Sequence, residues 1–575
     1  MSGSVLRSKQ ENLFQKEGLR MSNTQNDMRA RIAAEYDRVL KPVYTEVNVE
    51  EVMLPGGDGY RLRTLIYRPC GTTEALSVIV IRSCYPMMEE YVYIQGEELA
   101  KRGFGVVIQW CRGLNGSEGT YETYWFERED GAMLMNWLQD QAWVKNIGLV
   151  GASYLALVGW FIADIVPEKV KTMYLTVLGT EWHKEVWQEG AFRQDIFTSW
   201  LMSMSGVGEE VDYLQSAAYR PQIQVDEDLW KQRNDVYRDF ISHPAPSDAY
   251  WTEGAWGTFQ KVPGRTKIPV YIGEGWYDIH LQNAIDTFAN LSDMAGAHSV
   301  LKVNPGNHGL EPMIPNQKKQ EHARISDHEQ QIRWFKDILM DGVMPDRAIE
   351  YYLIGADEWR TYTTYPVPVS EYRSFYLSDG QLLDHLPEEE GRREYDYDPN
   401  NPVCSHGSGT LFRTYGGIGS ITQPEENFRP DVQSYISDVL SEDLDIVGQI
   451  QAVLHVQSDA PDTCFTVKLI EVDEDGTASN IRNGITTLGF RNQAQTWQRY
   501  DNEPVEITIR CWDIAFRVKK GSRIRVDISS SNFPEFSVHP NTETPWAFAK
   551  EVRTAHQVIL TGKDHPSRIV LPIDG

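Results

Sequence analysis

Cysteine is scarce in this chain. Its 575 residues hold six, scattered at positions 70, 84, 111, 404, 464 and 511 with no Cys-x-x-Cys pair. Such spacing excludes a disulfide framework and a structural zinc site, and neither a metal nor an organic cofactor is expected. Long apolar runs are missing too: nowhere do about 18 apolar residues follow one another, as a membrane-spanning helix requires. The opening MSGSVLRSKQENLFQKEG lacks the apolar core of roughly 7–15 residues that a secretory signal needs. Met21 is a second candidate start. Basic charge is outweighed, with 55 Lys and Arg against 82 Asp and Glu and a net charge of −27. Nucleic-acid binding relies on clustered Lys and Arg, so that class is set aside. No repeat and no low-complexity tract is visible. A soluble, cytoplasmic protein acting on a small molecule is expected, with neither nucleic acid nor membrane as partner. Oligomeric state is unreadable.

At this length several domains are expected. Residues 1–44 read as a polar N-terminal extension. From about residue 45, short apolar runs alternate with amphipathic segments. Strand-like runs are SVIVIR (77–82), GVVIQW (105–110), IGLV (147–150), 170–177, IPVYIG (268–273) and 299–303. Helical segments are expected at 91–102, 130–141 and 329–340. Continuous apolar strands between helices mark a parallel sheet covered on both faces, an α/β unit spanning 45–180 and 267–365. The alternation breaks over 181–266, a stretch rich in Trp and Tyr and too long for a loop, which reads as a helical cap. From 366 to 575 helical periodicity fades, and strands such as 449–457, 465–472, 505–509 and 523–529 suggest a β-sandwich or jelly roll.

The chemistry starts in IGLVGASYLALVGW. Ser153 directly follows a buried strand and opens a helical pattern, with small neighbours Gly151 and Ala152. A sharp strand-to-helix turn of this kind exposes a nucleophilic hydroxyl. By itself Gly-x-Ser is a weak signal, and the common Gly-x-Ser-x-Gly pattern is broken by Leu155. Two further residues add weight. Asp278 lies just past the strand IPVYIG, in GEGWYD; His308 follows the strand at 299–303, in the Gly-rich loop NPGNHG. Ser, Asp, His is the chain order of α/β-hydrolases. In such a triad the imidazole takes the serine proton while the carboxylate orients it. The Tyr154 amide at the helix start is one oxyanion donor, and Tyr85, in the loop after SVIVIR, is placed to offer a second through its hydroxyl. Trp182, Trp187, Phe192 and Trp200 of the cap are candidate walls of an apolar substrate pocket.

These residues carry a resemblance. Arg112–Gly119 (RGLNGSEG), Gly151-Ala152-Ser153-Tyr154, Gly275-Trp276-Tyr277-Asp278, Asn307-His308, Gly355–Arg360 (GADEWR), Ser458–Thr463 (SDAPDT) and Ile528–Pro534 (ISSSNFP) resemble, in order, the motifs of the cocaine esterase-like CocE/NonD hydrolases. That family is related to X-prolyl dipeptidyl-peptidases and α-amino-acid ester hydrolases. The resemblance runs from about residue 45 onward. It implies an α/β-hydrolase core with helical cap and C-terminal jelly roll, Ser153, His308 and Asp278 as triad, and Tyr85 hydroxyl with the Tyr154 amide as oxyanion hole. Ala156 stands where the family usually has Gly, and Trp110 where it usually has Asp two positions before Arg-Gly. Ile279, His280 and Leu281 replace the acidic residues that bind a substrate ammonium in amino-acid ester hydrolases. Hydrolysis of a carboxylic ester or amide through an acyl-enzyme is therefore expected. The alternatives are X-Pro dipeptidyl-peptidase or aminopeptidase action, or a catalytically dead core with a jelly roll that binds a ligand.

Overall fold

The computed structural model describes residues 25–208, 210–315, 320–411 and 417–574; Met1, Met21 and the start of the N-terminal extension lie outside them. Ten strands form one sheet: β1 (Val47–Pro55), β2 (Arg61–Pro69), β3 (Leu76–Ser83), β4 (Gly105–Trp110), β5 (Val144–Ala152), β6 (Val170–Thr176), β7 (Val270–Gly275), β8 (Val300–Asn304), β9 (Ala348–Leu353) and β10 (Glu358–Tyr362). Their spatial order is β1-β2-β4-β3-β5-β6-β7-β8-β9-β10. The run from β4 to β9 is parallel. Antiparallel strands close both edges. The chain is thus an α/β-hydrolase with a C-terminal β domain.

The parallel strands are apolar throughout because both faces are covered. In β3, Ile79 and Ile81 face one way and pack with Val92, Leu99, Ile332 and Phe335 of helices Glu89–Lys101 and Asp327–Phe335. Val78 and Val80, alternating with them, pack on the opposite side with Leu134 and Leu157. A pleated strand sends alternate side chains to opposite faces, so a strand buried twice needs apolar residues at every position. Helix Gln25–Tyr36 joins the first face through fully buried Ile32 and Tyr36. The Tyr36 hydroxyl donates to Gln331 at 2.8 Å, and Arg102 donates to the carbonyl of Ala33 at 3.1 Å. This part of the extension is docked, although its polar composition gave no sign of that. The helix expected to reach 340 is α-helical only over Asp327–Phe335 and continues as a wider π turn to Asp341. β1, β2, β9 and β10 had no expectation attached; three of these carry charged residues on partly exposed faces.

Between β6 and β7 lies a set of short helices. The longest is Gln194–Met204. It places Ile196, Phe197, Trp200, Ser203 and Met204 over the carboxyl end of the sheet, the one-sided spacing of an amphipathic helix. Eleven further strands, from Glu371–Ser378 to Arg568–Ile573, make a continuous β system. Leu444–Ser458 is its longest strand and pairs with Val505–Val518, Ala555–Thr561 and Arg568–Ile573. Ile446, Ile450, Leu454, Phe465 and Val467 fill its interior.

Candidate active site

β5 ends at Ala152, and helix Tyr154–Trp160 begins one residue after Ser153. The turn is tight. Ser153 has φ 55° and ψ −127°, a left-handed conformation that costs a non-glycine residue free energy and persists where surrounding structure holds it. A hydrogen bond from the Ser153 amide to Thr176 O (3.0 Å) and two bonds into Ser153 O from Ala156 and Leu157 supply that hold. Gly151 is obligatory here, since a Cβ would stand 2.2 Å from the carbonyl oxygen of Leu155. Position 155 itself accepts a side chain, which explains how Leu155 replaces the usual second glycine. Ala156 is buried in the helix.

His308 lies in the loop after β8. Its Nε2 is 3.0 Å from Ser153 Oγ and its Nδ1 is 2.7 Å from Asp278 Oδ2. Three residues distant in sequence meet at the carboxyl edge of one sheet. Asn304 and Asn307 shape the histidine loop, accepting from the amides of Gly306 (2.6 Å) and Gly309 (2.9 Å). Asp278 is fully buried, and its second oxygen accepts from the His280 amide at 2.7 Å. Burial alone would raise its pKa, but the charge and hydrogen bond of His308, with His280, hold it below the ordinary aspartate value. It is therefore an anion able to stabilise an imidazolium.

Tyr85 follows β3 and precedes a single 3₁₀ turn, Pro86–Met88. Burial raises its phenol pKa, while hydrogen bonding with Trp200 and Ser153 opposes that rise. The group stays a neutral O–H donor beside the serine. Tyr154 is the first residue of its helix, and the first amides of a helix have no acceptor within it. Its ring is fixed from below: the hydroxyl accepts from the Tyr124 amide at 2.8 Å and donates to Glu127 at 3.3 Å. Glu127 in turn pairs with buried Arg82 at 3.0 Å. Cys84 and Cys111 adjoin this cluster, and burial keeps both as thiols. Where Trp110 stands in place of an acidic residue, Arg112 is held instead by Asp130, at 3.1 and 2.7 Å, and by Asp58 at 2.9 Å.

A cavity of about 460 Å³ opens onto Ser153, Tyr85 and His308. Trp182 and Trp200 line it. Trp187 and Phe192 do not. The Trp187 indole N–H is spent on Phe240 O at 2.9 Å, and Phe192 stacks on Trp546 of the C-terminal domain at 5.1 Å; neither faces the serine cavity. Tyr124, Phe197 and His280 take their place in the wall. Phe197 was legible in the 196/197/200/203/204 spacing; Tyr124 and His280 carried no pattern. The His280 ring lies 5.4 Å from that of His308, with Nδ1 2.5 Å from buried Glu185. Among the described residues no group of three or more His, Cys, Asp or Glu could hold a metal ion, and no helix is long and apolar enough to cross a membrane.

Residues 58–310 match the X-Pro dipeptidyl-peptidase (S15) family, and residues 341–570 match the X-Pro dipeptidyl-peptidase C-terminal non-catalytic domain. The cocaine esterase of Rhodococcus sp. (strain MB1 Bresler) is 28% identical, over 91% of this chain and 98% of that one. Among solved structures, an α-amino acid ester hydrolase superposes with a TM-score of 0.75 at 21% identity, over 93% of this chain and 98% of that one. An aminopeptidase from a marine sediment Thaumarchaeota archaeon gives 0.74 at 20% identity, over 92% and 97%. At such identities the structural likeness concerns the fold.

Proposed function

We propose, from a chain that belongs with the CocE/NonD-type hydrolases and carries an S15 domain with its C-terminal companion, a serine esterase that works through an acyl-enzyme. The observation that carries this reading is His308 bridging the Ser153 hydroxyl and the buried Asp278 carboxylate, at 3.0 and 2.7 Å. His308 Nδ1–H donates to Asp278, which leaves Nε2 to accept the serine proton. Ser153 Oγ attacks the ester carbonyl, and the oxyanion draws on the Tyr85 hydroxyl and the Tyr154 amide. The imidazolium then protonates the departing alcohol. Water, deprotonated by the same nitrogen, releases the acid and regenerates the serine. The catalytic unit is proposed to comprise residues 45–180 and 267–365, capped by 181–266, with 366–575 as the β domain.

Aromatic and aliphatic walls suit an apolar acyl or alcohol group. The carboxylate of Asp327, which also lines the cavity, already accepts from Tyr174 at 2.7 Å. This favours an ester without a free ammonium. The S15 match supports a second reading, release of X-Pro dipeptides. Ser153→Ala should abolish hydrolysis of a p-nitrophenyl acyl ester while leaving the circular dichroism spectrum unchanged; undiminished turnover removes the serine mechanism. Turnover of an Ala-Pro chromogenic amide at rates matching the ester would favour the peptidase reading.

A further inference from the structure

A second, larger cavity of about 840 Å³ lies between the start of the cap, helix Leu281–Ala289 and the C-terminal β domain, and Ser153 is not among its walls. Five tryptophans line it: Trp182, Trp187, Trp251, Trp256 and Trp512. Asp513 and Glu189 line it as well. Asp513 is only 2% exposed, yet its Oδ1 has no hydrogen-bond partner, and neither has Oε2 of Glu189. A buried carboxylate oxygen without a donor costs free energy unless something supplies one. Burial pushes both carboxyls up to about 7, although Arg510 beside Glu189 and Tyr365 and Arg482 beside Asp513 oppose the rise, as desolvation of a carboxylate does.

The cations nearby are committed elsewhere, except Arg510, which makes a long ion pair with Glu189. Lys184 is held between Glu181 (2.7 Å) and Asp286 (2.8 Å). Arg193 stacks on Trp512 at 4.5 Å and donates to Ile279 O. Arg510 comes no nearer to Glu189 than 3.7 Å, and Arg482 donates to the backbone carbonyl of Asp513. Indole rings beside buried carboxylates that each keep one oxygen without a hydrogen bond attract organic cations, through the ring quadrupole and through charge.

We propose that this cavity is a second ligand site, separate from the serine centre, and that it takes a small organic ammonium ion with an aromatic or apolar body. It does not depend on the esterase reading. Isothermal titration at pH 8 with 2-phenylethylamine, its neutral isostere 2-phenylethanol and the anion 3-phenylpropanoate tests it. The amine is expected to bind at least about ten-fold more tightly than the alcohol, with no measurable binding of the anion. Asp513→Asn and Glu189→Gln should each weaken the amine several-fold, while Tyr85→Phe leaves it unchanged. Should Asp513→Asn fail to fold, Glu189→Gln and the amine-to-alcohol ratio in the unaltered protein decide. No amine binding, equal binding of the alcohol, preference for the anion, or loss in Tyr85→Phe alone would each overturn the proposal.

Discussion

Removing one oxygen from Tyr85 isolates its share in stabilising the oxyanion. The ring is fixed by packing against Tyr154, 6.4 Å away between centroids, so Tyr85→Phe should leave the cavity's shape intact. A fall in kcat of about 10²–10³ is expected for a lost oxyanion donor, with KM nearly unchanged, in steady-state assays on a p-nitrophenyl ester. An unaltered kcat would reassign the role. At this scale Ser153, Asp278 and His308 were legible, because each sits in a short motif behind a recognisable strand. Trp187 and Phe192 were not separable from Trp182 and Trp200. All four are large aromatics on one segment, and which wall an indole joins depends on partners such as Phe240 and Trp546, which are far away in sequence.

Elements answer to different tests. The strand–turn–helix around Ser153 needs Gly151, since any Cβ there meets the Leu155 carbonyl oxygen. Gly151→Ala should lower unfolding free energy by about 1–3 kcal/mol, as overpacking does, and depress activity by displacing the serine; an unchanged denaturation midpoint would refute the steric reading. In the cap, His183 packs against Trp251 and donates through Nε2 to Pro244 O at 3.0 Å. Burial pushes its imidazole down to about 4. The folded state therefore prefers the neutral ring, and its contribution is complete above the unfolded value near 6.5. As pH falls from there towards 4, unfolding takes up a proton and stability drops, by at most about 1.4 kcal/mol per pH unit for this group. His183→Gln should lose less stability than the parent chain between pH 6.5 and 4.5 in thermal denaturation; parallel curves would exclude the effect. β1 and β10 escaped the sequence pattern because they are edge strands, wetted on one side, and lose the continuous apolar run that marks their neighbours; β2 and β9, next to them, are interrupted by Arg61, Arg63 and Arg68 and by Glu350.

Across the whole molecule, the sheet and the β domain are fastened together. The Ile354 amide donates to Ala515 O at 3.0 Å and the Arg517 amide to Ile354 O at 2.7 Å. Beside this strand-like bridge, buried Asp445 receives Arg517 at 2.5 and 2.7 Å and also Arg360 from β10. Burial would raise the Asp445 pKa, but the two guanidinium groups lower it. Asp445→Ala leaves Arg517 without a close carboxylate, while Arg360 keeps Glu358 and Asp574 at 2.8 and 2.9 Å, and should cost about 1–3 kcal/mol. Calorimetry should show a lower midpoint for a single shared transition. A midpoint within a degree of the parent's would mean that the junction carries little of the stability.

Local sequence by itself determined the inner parallel strands, the Ser–Asp–His order and the change from α/β to all-β texture, because burial on two faces, a strand-to-helix turn and strand alternation each leave a signature within a dozen residues. Tertiary structure alone decided which cap aromatics face the serine, that Glu127 and Arg82 brace Tyr154, and that Asp513 and Glu189 share a second cavity. Those relations join residues that are tens to hundreds of positions apart, and only the folded backbone sets the distances between them.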